Sequence, residues 1–348
     1  MADNNNHASR PVRIGIIGYG YWGPNLTRNF TEINSSEVVV VADFDADRLA
    51  AMRSKYPGVQ TTATYQDFWD MDLDAVVVAT PPPTHYAIAK DCLEHGLHVL
   101  VEKPITLNSA HAEELIALAE AKDLRLMVGH TFEYNAAVRK MKAIIESGEL
   151  GEIYTINAQR LNHGLIQRNL NVLWDLAPHD ISILLYILGM DPVSVTAHGT
   201  SYVAHTVEDV AHMHLVFPNN IRAHIHVSWL DPLKVRQITV VGSKKMLVYD
   251  DVAPLEKIKI YDKGVEKLPY TDTFGDFQYS YRYGDIIIPR INFSEPLRIE
   301  CQHFIDCIQN GSAPQSDGRI GLKVVRILEQ ADRALAASRD AETAQESE

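Results

Sequence analysis

Residues 12–23 read VRIGIIGYGYWG: an apolar run from Val12 to Ile17, then Gly18-Tyr19-Gly20-Tyr21-Trp22-Gly23, then a stretch of helical character, PNLTRNFTEI. The order is strand, glycine turn, helix. In that order each glycine has a separate steric task. Gly18 permits the tight turn, Gly20 lets backbone N–H groups approach a pyrophosphate, and Gly23 lets the helix pack close to the strand. The helix N-terminus then attracts the phosphates. A chain with 19 glycines can produce such a pattern without a ligand, so the segments that follow decide its meaning.

The next apolar run, Val38 to Ala42, ends at Asp43, 25 residues after Gly18, close to the spacing of roughly 20 at which an acid reaches the adenosine ribose. A carboxylate there accepts from the 2′ hydroxyl and repels a 2′ phosphate, so NAD is favoured over NADP. Arg48 is the residue that could oppose this. Further strands are expected at Ala75–Ala79, Leu97–Val101 and Leu124–Val128, with helices over His85–His95 and about Asn108–Ala121. This alternation predicts a doubly wound parallel sheet over residues 11–130. Thr80-Pro81-Pro82-Pro83-Thr84 forms a stiff turn at the ligand edge, and Thr80, Pro81 and His85 are read as cofactor contacts beside Gly18, Gly20, Tyr21, Trp22, Gly23 and Asp43. The strand ending at Val101 runs straight into Glu102-Lys103-Pro104. This sets a carboxylate and an amine where open parallel sheets bind their ligands.

At 348 residues the chain exceeds the usual size of one domain. From Gly151 onward, strand-like runs follow one another with few helices, predicting a second, sheet-rich domain over 131–338 whose C-terminal helices pack back on the first. Residues 1–10 and 339–348 lack a hydrophobic face and are expected to be disordered. A net charge of −13 and a pI near 5.6 argue against nucleic-acid and anionic-membrane partners. A polar N-terminus and the lack of a long apolar run lead to the expectation of a cytoplasmic protein. Cys92, Cys301 and Cys307 have no zinc-like spacing and read as buried thiols.

In the second domain, Trp174-Asp175-Leu176-Ala177-Pro178-His179-Asp180 leads into an apolar helix. Asp175 and His179 are spaced to share one helical face, with Pro178 read as lying in the first turn and Asp175 as a possible cap. Arg160, Asn162, His163, Arg168 and Asn171 precede that helix and face the expected cleft; Arg160, Asn162, Arg168 and Asn171 are read as substrate contacts beside Lys103, Asp175 and His179, the arginines suiting an anionic diphosphate or else a solvated loop. Tyr279, Tyr281 and Tyr283 read as a sugar-stacking wall or a structural loop. His212, His214, His224 and His226 alternate with apolar residues. If Phe217 pairs with Ile221, His212 opposes His226 and His214 opposes His224, all on one face. No metal is expected there, and the face is read as meeting another subunit or water.

GYGYWG at 18–23, VEKP at 101–104 and Asp175-x-x-x-His179 together resemble the Gfo/Idh/MocA family of sugar and polyol oxidoreductases. The likeness extends over about residues 11–338. It implies a Rossmann domain followed by a large, mostly antiparallel sheet with flanking helices, an α/β plus α+β protein that assembles as a homodimer or homotetramer through that sheet. It also implies catalytic roles for Lys103, Asp175 and His179, a nicotinamide-ribose contact for Glu102, and a cis peptide before Pro104. WGPN at 22–25, NVLWDLAPHDISIL at 171–184 and SEPLRIECQHFIDCI at 294–308 look like the nucleotide-sugar branch, whose members oxidise C3 of UDP-N-acetyl sugars or their uronates. A keto-sugar reductase, an inositol or polyol dehydrogenase, and an NAD-dependent glycosidase remain as alternatives.

Overall fold

The computed structural model describes residues 10–167, 170–203, 207–267 and 279–346. The chain divides into two units. The first takes residues up to Tyr134 together with Ser294–Arg326, and the second takes Asn135–Phe293 with the chain from Ile327 onward. The first unit thus closes four residues beyond the expected boundary and recovers a later segment.

The first unit holds a parallel six-stranded sheet: β1 (Val12–Ile17), β2 (Ser36–Ala42), β3 (Gln60–Thr62), β4 (Ala75–Val78), β5 (His98–Val101) and β6 (Leu126–Val128), in the order β3-β2-β1-β4-β5-β6. This is the doubly wound order with its switch between β1 and β4. Short β-branched runs such as AVVV in β4 are buried along their whole length, because helices cover both faces of such a sheet. The helices are α1 (Gly23–Glu32), α2 (Ala46–Lys55), α3 (His85–Glu94) and α4 (Ser109–Ala121). Pro24 opens α1, where a missing N–H costs nothing. The Asp45 carboxylate caps α2, and Asn108 caps α4. Helix α7 (Pro296–Asn310) adds Leu297, Cys301, Phe304 and Ile305 to the core around Phe30, Met127 and Tyr134.

The second unit contains α5 (Ala136–Glu146), α6 (Val172–Leu188) and an eight-stranded sheet. Its strands are β7 (Ile153–His163), β8 (Ser194–Thr200), β9 (Val210–Val216), β10 (Arg222–Ser228), β11 (Leu230–Gly242), β12 (Met246–Asp250), β13 (Ile258–Lys267) and β14 (Tyr279–Ile287), in the order β14-β13-β12-β11-β7-β10-β9-β8. All pairs are antiparallel except β7 with β10. The β9–β10 hairpin has the register that its alternation predicts: His212 opposes His226, His214 opposes His224, and Phe217 N–H donates to the Ile221 carbonyl. Helix α6 packs against β7, β9 and β10 and ends at Gly189, in the left-handed region at φ 64°. Helix α8 (Gly318–Glu346) contributes to both units and continues through residues expected to be disordered. The sequence DAETAQE consists mostly of good helix formers, so a helix already running needs no apolar face to extend through it.

Candidate active site

The glycine turn is built as its spacing requires. At Gly18, φ is +96° and a Cβ would lie 2.6 Å from the Ala79 carbonyl, while a Cβ at Gly23 would strike the Gly18 carbonyl. Gly20 faces open space, its nearest neighbour being the Arg48 guanidinium at 3.7 Å. A cavity of about 670 Å³ opens there, lined by Gly18, Gly20, Tyr21, Trp22, Asp43, Arg48, Thr80 and Pro81, with Tyr65 and Ile88 beyond. A phosphate-sized approach at Gly20, followed by the N-terminus of α1, fits a dinucleotide.

Asp43 is buried, and its carboxylate accepts from Tyr19 N–H at 2.6 Å and Asp45 N–H at 2.8 Å. Arg48, which sequence left as a possible phosphate clamp, is held instead by two acids, 3.6 Å from Asp43 and 3.4 Å from Asp45. A 2′ phosphate would have to displace both. His85 is corrected: it is fully buried, with Nδ1 2.7 Å from the Pro104 carbonyl and Nε2 2.8 Å from the Thr80 carbonyl. Both ring nitrogens are occupied in tying the Thr80 turn to the loop after β5, which gives this buried ring a structural task in place of the expected ligand contact. Burial pushes its pKa down.

At the end of β5, Glu102 is 6% exposed and accepts from the Lys103 N–H at 3.3 Å; Lys103 precedes a cis proline. Burial pushes Glu102 up to about 7, with the Lys103 charge pulling the other way. Behind it lie residues that sequence reading missed. His130, Glu133 and Glu300 are all buried, and Thr131 donates to Glu300 at 2.7 Å. Burial pushes His130 down to about 3 and Glu300 well above the usual carboxylate range. Their only sequence signal is polarity inside apolar surroundings.

In the second unit α6 begins at Val172, with Asn171 as its cap: the Asn171 side chain accepts from Trp174 N–H at 3.1 Å and donates to Asp332 at 2.9 Å. Asn171 is therefore corrected from a substrate contact to a helix cap. Pro178 falls in the second turn, not the first, and removes the N–H that would bond the Trp174 carbonyl. His179 is thus farther from the helix end than expected, and the helix dipole has less hold on it. Asp175 lies one turn before His179 and accepts from the buried Trp229 Nε1 at 3.0 Å. Arg160 is also corrected. It sits on the covered face of β7, 5% exposed, with Nε and Nη2 donating to the two Asp180 oxygens at 2.8 and 2.9 Å. A guanidinium committed in this way cannot clamp a diphosphate. Asn162 keeps a buried amide oxygen without a hydrogen-bond partner, and His163 is exposed. Arg168 lies outside the described residues. Tyr279, Tyr281 and Tyr283 stand exposed on β14, an edge strand and not a loop.

The histidine face has the predicted layout, extended by His198 opposite His212. The His212 and His226 rings stack at 4.1 Å, and the Nδ1 atoms of His214 and His224 lie 3.1 Å apart. Among the described residues no group of three or more His, Cys, Asp or Glu is placed to hold a metal ion, and no helix is long and apolar enough to cross a membrane.

Residues 12–130 match the Gfo/Idh/MocA oxidoreductase family, NAD-binding Rossmann fold, and residues 138–248 match the Gfo/Idh/MocA C-terminal domain. The chain belongs to this family. A Gfo/Idh/MocA member carries out oxidoreduction with NAD, which the cradle around Gly20 and Asp43 fits. UDP-N-acetylglucosamine 3-dehydrogenase of Acidithiobacillus ferrooxidans is 26% identical over 74% of this chain and 79% of its own. Myo-inositol 2-dehydrogenase of Thermotoga maritima is 26% identical over 89% and 92%. Among solved structures, an oxidoreductase from Magnetospirillum magnetotacticum superposes with a TM-score of 0.78 at 29% identity, covering 92% of this chain and 99% of that one.

Proposed function

We propose that this oxidoreductase acts on a secondary alcohol of a sugar, C3 of a UDP-N-acetyl sugar or its uronate, and passes the hydride to NAD. The reading rests on two features, each taken within its own unit: the Glu102-Lys103-Pro104 loop that ends β5 in the first, and a helix in the second that carries Asp175 and His179 one turn apart. Bound NAD supplies the hydride acceptor. Lys103 polarises the substrate oxygen, since a cation there stabilises developing alkoxide character. His179 takes the hydroxyl proton. Asp175, itself oriented by Trp229, sets the ring of His179. The nucleotide-sugar assignment draws on likeness to the Acidithiobacillus enzyme. A polyol such as inositol is the second reading, favoured because Arg160 is committed to Asp180 and the Thermotoga relative matches more of the chain. The open histidine face of the second sheet is read as the contact between subunits.

Absorbance at 340 nm with NAD and a panel of UDP-N-acetyl sugars, their uronates, free sugars and inositols tests the reading. NADH formed with UDP sugars alone supports it, and turnover of inositol alone selects the polyol reading. Lys103→Met is expected to lower kcat by about a hundredfold to a thousandfold while NAD binding persists. Unchanged turnover removes Lys103 from the mechanism.

A further inference from the structure

Segment Gly129–Glu133 carries one buried carboxyl group and lies against two more within the first unit. A Cβ on Gly129 would lie 3.1 Å from Glu102 Oε2, Thr131 donates to Glu300 at 2.7 Å, and Glu133 accepts from the Gln315 side chain at 3.3 Å. Glu102, Glu133 and Glu300 are 6%, 2% and 1% exposed. The second Glu300 oxygen and both ring nitrogens of His130 are buried without a hydrogen-bond partner. Glu102 has one backbone N–H at 3.3 Å to stabilise a negative charge, far short of what a buried carboxylate needs. The other titratable groups facing this nest are Lys103 on the same loop, His85 of α3, His130 and Tyr134 after β6, and Cys301 of α7. Lys103 is the cation among them that favours ionised Glu102.

The nest lies at a defined end of the cofactor site. Gly20 and Asp43 fix the adenosine half over β1 and β2, so a dinucleotide crossing the edge sets its nicotinamide half over the ends of β4, β5 and β6. Glu102 ends β5, and Gly129–His130 ends β6. The oxidised nicotinamide is cationic and the reduced one is neutral.

We propose that Glu102 is a proton-exchanging group of the cofactor site, holding a proton in the free protein and releasing it to solvent when the oxidised cofactor brings its cationic nicotinamide ring, but not when the reduced cofactor binds. Ionised Glu102 then provides the countercharge that a low-dielectric site, with its buried Glu300 carboxyl group kept protonated by desolvation, otherwise lacks. The inference rests on NAD as cofactor and is independent of the sugar substrate.

Linkage fixes the sign. A group protonated in the free protein weakens NAD⁺ binding below its pKa, so Kd for NAD⁺ falls about tenfold per pH unit as pH rises toward 7 and then levels. Calorimetric titration at pH 7 in phosphate and in Tris, buffers of different protonation enthalpy, counts the protons. NAD⁺ is expected to release about half a proton, NADH none, and Glu102→Gln none with either. Binding of NAD⁺ and NADH with equal proton release overturns the proposal alone, as does undiminished release from Glu102→Gln. Failure of both nucleotides to bind overturns the cofactor assignment and the proposal with it. Should Glu102→Gln not fold, Kd of the unaltered protein between pH 5.5 and 8 decides: a slope for NAD⁺ with none for NADH supports the proposal, and parallel curves refute it.

Discussion

In the six-stranded sheet β4 is buried at all four positions, Ala75–Val78, whereas in the eight-stranded sheet β10 alternates, with Ala223, Ile225 and Val227 covered and Arg222 and His224 exposed. The difference decides where polar groups can act. A sheet covered on both faces opens to ligands only at its strand ends, and there stand Gly18, Asp43, Glu102 and Lys103. A sheet covered on one face must neutralise any charge that falls on the covered side, as Asp180 does for Arg160, and leaves its other side free for histidines.

The most severe way to break this contrast is to disturb the covered face of the second sheet. Arg160→Met is expected to cost about 3–5 kcal/mol, because Asp180 is left as an unpaired buried charge. The double replacement Arg160→Met with Asp180→Leu is expected to recover most of it, both measured by urea unfolding. At the edge of the first sheet, Asp43→Ala is expected to weaken NAD binding roughly tenfold to a hundredfold, the worth of charged hydrogen bonds to a ribose, and to improve NADP binding as Arg48 loses one of its two anchors. Titration of both nucleotides checks this, and an unchanged NAD/NADP ratio removes Asp43 from the discrimination. The smallest effect belongs to the open face: His224→Ala is expected to change stability by less than about 0.5 kcal/mol. If that face joins subunits, replacing His212 and His224 with Glu shifts sedimentation toward smaller species and lowers the melting temperature by the stabilisation that association supplied.

The same contrast explains what sequence could show. The glycine turn was legible because its demands are local: Gly18 and Gly23 each meet a steric need within a few residues or beside the end of a neighbouring strand, and Gly20 between them opens onto the cavity. The β9–β10 register was legible because alternation leaves one pairing that keeps Ala223, Ile225 and Val227 together. Asn171 and Arg160 were misread because their partners, Asp332 and Asp180, are 161 and 20 residues away and nothing local announces them. Reading alternation through all of β7 would have set Arg160 beside Ile156 and Ala158 on the covered face. Trp229 and Glu300 escaped for a similar reason, since each gains its role from a carboxyl or hydroxyl group brought near only by folding.

The return of Ser294–Arg326 to the first unit bears on how the protein is made. Asp317 bridges to Met127, Val128 N–H donates to the Ser316 carbonyl, and α7 supplies Leu297, Phe304 and Ile305 to the core around Phe30. During synthesis the nucleotide-binding unit therefore emerges first yet stays unfinished until all of Asn135–Phe293 has been translated. At about 5–20 residues per second that delay is on the order of ten to thirty seconds. A fragment ending at Tyr134 keeps every glycine and acid of the cofactor cradle but leaves Phe30, Met127 and Tyr134 uncovered. Its thermal melt by circular dichroism is expected to lack the cooperative transition of the whole chain, so the nascent protein depends on Ser294–Arg326 to become competent for its cofactor.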